Sequence, residues 1–120
     1  MTIIRNLTPH PVNVISGDGS VITYPVDGPA PRVAMGKKDA GRIVDQYGNE
    51  IDDSVTWASP DVTDLPEPEE GVILIVSRMT ADAAGGRPDL RSPEGIVRDE
   101  TGRIIGCRSL TRPVLKPPTE

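Results

Sequence analysis

At 120 residues the chain has the size of one domain, enough to bury roughly two thirds of its unfolded surface around a single core. Its apolar content of 36% excludes wholesale disorder, and its net charge of −5 argues against broad electrostatic attraction to nucleic acid or anionic lipid. One cysteine and one histidine exclude an internal disulfide and a structural zinc site built from one chain.

Valine and isoleucine outnumber leucine and phenylalanine is absent, so the core must be filled by β-branched side chains that suit a pleated strand and are stiff in a helix. The first strand is predicted over Ile3 to Leu7, ended by Thr8-Pro9-His10-Pro11, where two prolines remove backbone donors. A second begins at Val12, and Gly17-Asp18-Gly19 turns it into Val21–Tyr24 as a hairpin. Pro25 to Pro31 reads as a loop, and Arg32 to Met35 as a short strand ended by Gly36-Lys37-Lys38. A second hairpin is predicted from Gly41–Asp45, a turn around Tyr47–Glu50, and Ile51–Trp57, with Asp52 and Asp53 its poorest strand residues. The acidic, proline-punctuated stretch from Ser59 to Glu70 reads as a solvated connector.

Val72 to Val76 is the one continuous apolar run, short enough for a strand buried on both faces. The one helix is predicted directly after it, capped by Ser77 or Thr80 and stopped by Gly85-Gly86. Gly95 to Arg98, a turn at Asp99–Gly102, and Arg103 to Cys107 make a last hairpin. The fold expected is mostly β, a β-rich α+β domain with an antiparallel sheet or small barrel and one short helix. One globular domain is expected over 1–115, with a flexible tail at 116–120. The start is patterned as structure and carries no signal-like apolar stretch, and no run is long enough to span a bilayer. Cytoplasmic placement is the expectation. The short strands leave edges to be covered, which points to a homo-oligomer.

Charge is uneven. Residues 1–77 carry five Lys or Arg against twelve Asp or Glu, whereas residues 78–112 carry seven Arg against five acids. Arginine suits planar contacts with phosphate or carboxylate. A helix start beside Arg78 exposes donors at Ser77 and forms a candidate anion pocket, with Arg98 and Arg103 on the last hairpin as further candidates. His10 is the only side chain whose ordinary pKa lies near neutrality, held on a stiff proline turn. No Gly-x-Ser-x-Gly elbow, phosphate loop or dinucleotide fingerprint occurs, and Asp61, Asp64, Glu67, Glu69 and Glu70 lack calcium-loop spacing. Neither a metal nor another cofactor is expected, nor are aromatic platforms present for single-stranded nucleic acid.

Two segments carry a resemblance: Asn6-Leu7-Thr8-Pro9-His10-Pro11-Val12, and Val97-Arg98-Asp99-Glu100-Thr101-Gly102-Arg103-Ile104-Ile105-Gly106-Cys107, with Leu65–Pro68 and Ile75–Arg78 between. Together they resemble a family of small phage, prophage and actinobacterial proteins, the match being poorest from Gly28 to Val55. The resemblance implies a phage-related origin and brings no catalytic residue with it. The leading expectation is a non-catalytic, anti-defence binding protein that sequesters a small phosphorylated, nucleotide-type ligand with His10, Ser77, Arg78, Arg98 and Arg103. The alternatives are a module that binds a host or virion protein, or a minimal hydrolase using His10.

Overall fold

The computed structural model describes residues 1–114 and 116–118. Its elements follow one another as β1 (Ile3–Asn6), β2 (Val12–Ile15), β3 (Val21–Tyr24), β4 (Arg32–Val44), β5 (Glu50–Thr63), β6 (Val72–Ile75), α1 (Arg78–Ala83), β7 (Leu90–Arg98) and β8 (Ile104–Thr111). The β-rich fold with one short helix is as expected. Among the described residues, no helix is long and apolar enough to cross a membrane. Of the expected tail, residues 116–118 are exposed and belong to no strand or helix; 115 and 119–120 lie outside the described residues.

The apolar run forms β6, which pairs in parallel with β1 on one side and with β7 on the other. Because side chains alternate along a strand, the run feeds two separate clusters. Leu74 and Val76 pack with Leu7, Ala81 and Leu90 under α1, while Ile75 packs with Val12 and Cys107. All three run residues are at most 2% exposed. α1 is short and survives by packing; Ser77 Oγ accepts the Thr80 amide at its start, as expected, and Thr80 and Ala81 are buried.

Six strands form one sheet in the order β1-β6-β7-β8-β2-β3. The sheet is mixed, because the antiparallel hairpins β2–β3 and β7–β8 are joined to each other and to β6 through parallel pairs. Its two ends meet where Asn6 makes a parallel bridge to Val26, just beyond β3, and the Asp27 amide donates to the Asn6 carbonyl at 2.8 Å. The sheet is thus rolled into a small barrel closed on that side by a single rung.

Asn6 is 1% exposed and sits at that closure. Its Nδ2 donates to the carbonyls of His10 and Tyr24, both at 2.8 Å, and its Oδ1 accepts the Thr8 amide at 2.9 Å. The Thr8 hydroxyl also donates to Oδ1. No buried side-chain polar atom lacks a partner among the described residues.

β4 and β5 pair only with each other and form a separate two-stranded ribbon. Here the structure extends the sequence reading at both ends. β4 does not stop at Gly36-Lys37-Lys38 but continues to Val44, and β5 runs through Ser59 to Thr63, shortening the connector. Gly36 is tolerated mid-strand because the Trp57 indole lies across it, in the space a Cβ would take. The ribbon projects as an arm, with α1 packed near it. The radius of gyration is 18.2 Å, against about 14 Å for a compact chain of this length.

The connector after the arm is tied down by Arg87, whose Nη2 donates to the Pro66 carbonyl at 2.9 Å. Its Nε and Nη2 also donate to the two carboxylate oxygens of Asp89 at 2.8 and 2.6 Å, and both side chains are largely buried. These bonds from Arg87 hold the Asp89 carboxyl below its ordinary range against the opposing effect of burial.

Three stability outcomes follow from these packing features. Leu74→Ala is expected to cost roughly 2–5 kcal/mol in urea unfolding, since its cluster cannot collapse around the lost atoms. Asn6→Ala is expected to cost about 2–4 kcal/mol, because the Tyr24 carbonyl and the Thr8 amide lose their side-chain partner and the His10 carbonyl keeps only the Thr8 hydroxyl. Asp89→Asn is expected to destabilise by about 1.5–3 kcal/mol at neutral pH. A carboxyl with a depressed folded pKa contributes fully above the unfolded value of about 3.9 and loses that contribution as pH falls through the folded value. Urea titrations below about pH 4 should therefore show wild type and Asp89→Asn converging.

Candidate functional site at the barrel mouth

One open end of the barrel is formed where β1 and β6 finish and β2 starts. The Thr8–Pro11 turn crosses this end, held by the bonds from Asn6 and so fixed relative to β3. Opposite it stand residues of β7 and β8. Between them lies a groove of about 480 Å³. His10 and Ser77 both line it, together with Thr8 and Asn13. Its remaining wall is apolar, made by Pro11, Val12, Pro93, Ile96, Ile104 and Ile105. Ile96 and Ile104 are each more than half exposed, which is costly in water for a β-branched side chain standing in a concavity.

The strands meet closely at the floor. A Cβ on Gly106 would stand 2.7 Å from the Asn13 carbonyl oxygen, so the approach of β8 to β2 requires glycine there. Beside it Cys107 is 2% exposed, its Sγ donating to the Asn13 carbonyl at 3.5 Å. Burial pushes its thiol pKa up, so the sulfur stays protonated and is a poor nucleophile.

The five residues singled out in the sequence fall into three places. His10 and Ser77 come together in the groove. Arg98 is the cross-strand partner of Ile104 and leaves the sheet on the same side, but it does not line the groove, nor does Arg103. The Arg98 Nη1 donates to the Gly102 carbonyl at 2.8 Å, fixing the side chain while leaving other donors free. Arg103 precedes Ile104 at the start of β8, and its backbone amide is bound by the Asp99 carboxylate. Arg78 does not line the groove; its Nε donates to Asp82 at 3.2 Å in an exposed pair one turn along α1. The Ser77 hydroxyl is engaged by the helix cap and by Thr80 Oγ1, so it offers a ligand its oxygen lone pairs more readily than a proton.

Sequence reasoning, which looked for charge and donors, did not find the isoleucine and proline wall. Its one legible signal was the pair of prolines flanking His10. A larger hollow of about 680 Å³ lies on the arm, lined by Lys37, Asp39, Arg42, Asp52 and Asp53. There Arg42 is already paired with Glu50 and Asp52 at 2.8 and 3.2 Å, so the local charge is spent internally. Among the described residues no group of three or more His, Cys, Asp or Glu side chains is arranged to hold a metal ion. The chain matches no family model, no curated protein and no solved structure.

Proposed function

We propose that the protein is a non-catalytic binding protein whose barrel mouth takes a small ligand with a flat apolar body and an anionic group, a description that a nucleotide fits. The observation that carries this reading is the convergence of His10 and Ser77 on one groove walled by isoleucine and proline. An apolar ring gains by covering Ile96, Ile104 and Ile105, while His10, Asn13 and Ser77 fix its edge. The phosphate then lies outward, toward Arg98 on the same side of the sheet as Ile104. Arg78 and Arg103 add positive charge in the surroundings and are not needed for direct contact. Binding without turnover is favoured because the groove's thiol is buried and protonated, a poor nucleophile.

A second reading, a module that binds a host or virion protein, rests on a different observation, the projecting arm with Trp57 half exposed. The phage-related origin fits both readings.

A thermal-shift panel of nucleotides followed by calorimetry separates them. The expected outcome is stabilisation by at least one nucleotide, with His10→Ala and Arg98→Ala each weakening binding about ten-fold while the apo melting temperature stays put. Ile104→Asp should abolish binding, because it places an unpaired carboxylate against the ligand's apolar face. A panel without any shift removes the ligand reading and leaves the interaction module.

A further inference from the structure

The arm has two unlike faces. Its register pairs Gly36 with Trp57, Lys38 with Val55 and Ile43 with Ile51, and the extra residue near Gly41 lies in β4, so β5 alternates without interruption from Glu50 to Trp57. Trp57, Val55 and Ile51, with Ile43 across from Ile51, therefore share one face. Thr56, Ser54, Asp52 and Glu50 share the other, where Arg42 binds both acids. The apolar row is 50–54% exposed along its whole length. A two-stranded ribbon of this kind is marginal in water unless its apolar face is covered by another layer.

Two charged residues belong to the apolar face: Lys38, opposite Val55, and Asp53, between Val55 and Ile51. Neither takes part in an ion pair among the described residues. They have opposite sign and lie one same-face step apart on the two strands, the Asp53 carboxylate accepting the Ser54 amide at 2.9 Å. A copy of the same face turned by a two-fold axis brings the Lys38 of each chain to the Asp53 of the other and closes the hydrophobic rows together. The total surface also calls for a partner. The chain exposes 8742 Å², whereas a compact monomer of its mass exposes about 6,300 Å². The exposed C-terminal residues contribute part of that excess; the remainder is on the scale of the roughly 800 Å² per partner that a stable interface buries.

We propose that the apolar face of the β4–β5 arm is a self-association surface, and that two copies of the chain pair there face to face and antiparallel, with reciprocal Lys38–Asp53 contacts. The occupant of the face is a second copy because the row carries its own complement in both hydrophobicity and charge. The barrel mouth lies on other strands and takes no part.

Light scattering on the full chain, with the emission of Trp57 as the only tryptophan, tests this directly. The wild-type chain should weigh twice 12.8 kDa at micromolar concentration, and its emission should shift to the red on dilution as the indole returns to water. Ile51→Asp with Val55→Asp should give a monomer whose barrel keeps its cooperative urea unfolding, since neither residue enters a core cluster of the barrel. Lys38→Asp and Asp53→Lys should each weaken the dimer roughly three- to ten-fold, and the two together should restore it. A monomer at every concentration, or a dimer indifferent to Ile51→Asp with Val55→Asp, overturns the proposal. A dimer lost in those variants but unaffected by either charge change, or not restored by the double exchange, overturns the antiparallel arrangement.

Discussion

The barrel depends on one buried amide. Asn6 ends β1, where the sheet has run out of strands and must meet its own beginning, and there its side chain makes four hydrogen bonds, to Thr8 and His10 of the proline turn and to Tyr24 of β3. A hydrophobic residue there would fill the same space, take the side-chain donor from the Tyr24 carbonyl and leave the His10 carbonyl only the Thr8 hydroxyl. An aspartate would bring the wrong group to those carbonyls, having no N–H to give. Only an amide supplies donors on one side and an acceptor on the other within so short a reach. The result is a rung that shuts the barrel and, in the same act, fixes the proline turn that carries His10. Stability of the fold and geometry of the groove therefore share one residue.

β6 contributes the complementary constraint. Its alternation sends Leu74 and Val76 toward α1 and Ile75 into the barrel, so two small clusters exist where a chain with no phenylalanine has no single large one. Each cluster is thin, and each is completed by a connection instead of by bulk: the helix cap at Ser77 in one case, the approach of Gly106 to Asn13 in the other. The groove lies above the second cluster, with Val12 and Cys107 forming both core and floor. A binding surface continuous with the core in this way is rigid without further supports.

Much of the barrel was legible in the sequence because its signals are local. The hairpins at Gly17–Gly19 and Asp99–Gly102, the buried run, and the helix start at Ser77 each rest on a few adjacent residues whose preferences agree with the final fold. The arm was read too short because Gly36 is a breaker by local preference, and what overrides it is Trp57, distant in the chain but stacked over the glycine. Ser59 to Thr63 looked like solvated connector for a similar reason, its strand pairing being supplied by Arg32 and Val33. At the site, His10 and Ser77 were legible as chemistry. Their meeting was not, since it requires β1 and β6 to run parallel and the sheet to close at Asn6. The parallel pairs themselves leave no turn signature, because parallel neighbours are joined through long connections.

The division of labour between barrel and arm explains the uneven charge and composition. In the barrel, the last hairpin belongs to the arginine-rich part of the chain and supplies Ile96, Ile104 and Ile105 to the wall of the mouth. The arm has the single tryptophan and a row of β-branched side chains that its own chain leaves uncovered. Near both stands α1, which lies close to β7 and to β4 and β5. Ser77, which caps that helix, also lines the groove. Held by two buried side chains and a cap, that element has little stability of its own and persists through its packing on the strands around it.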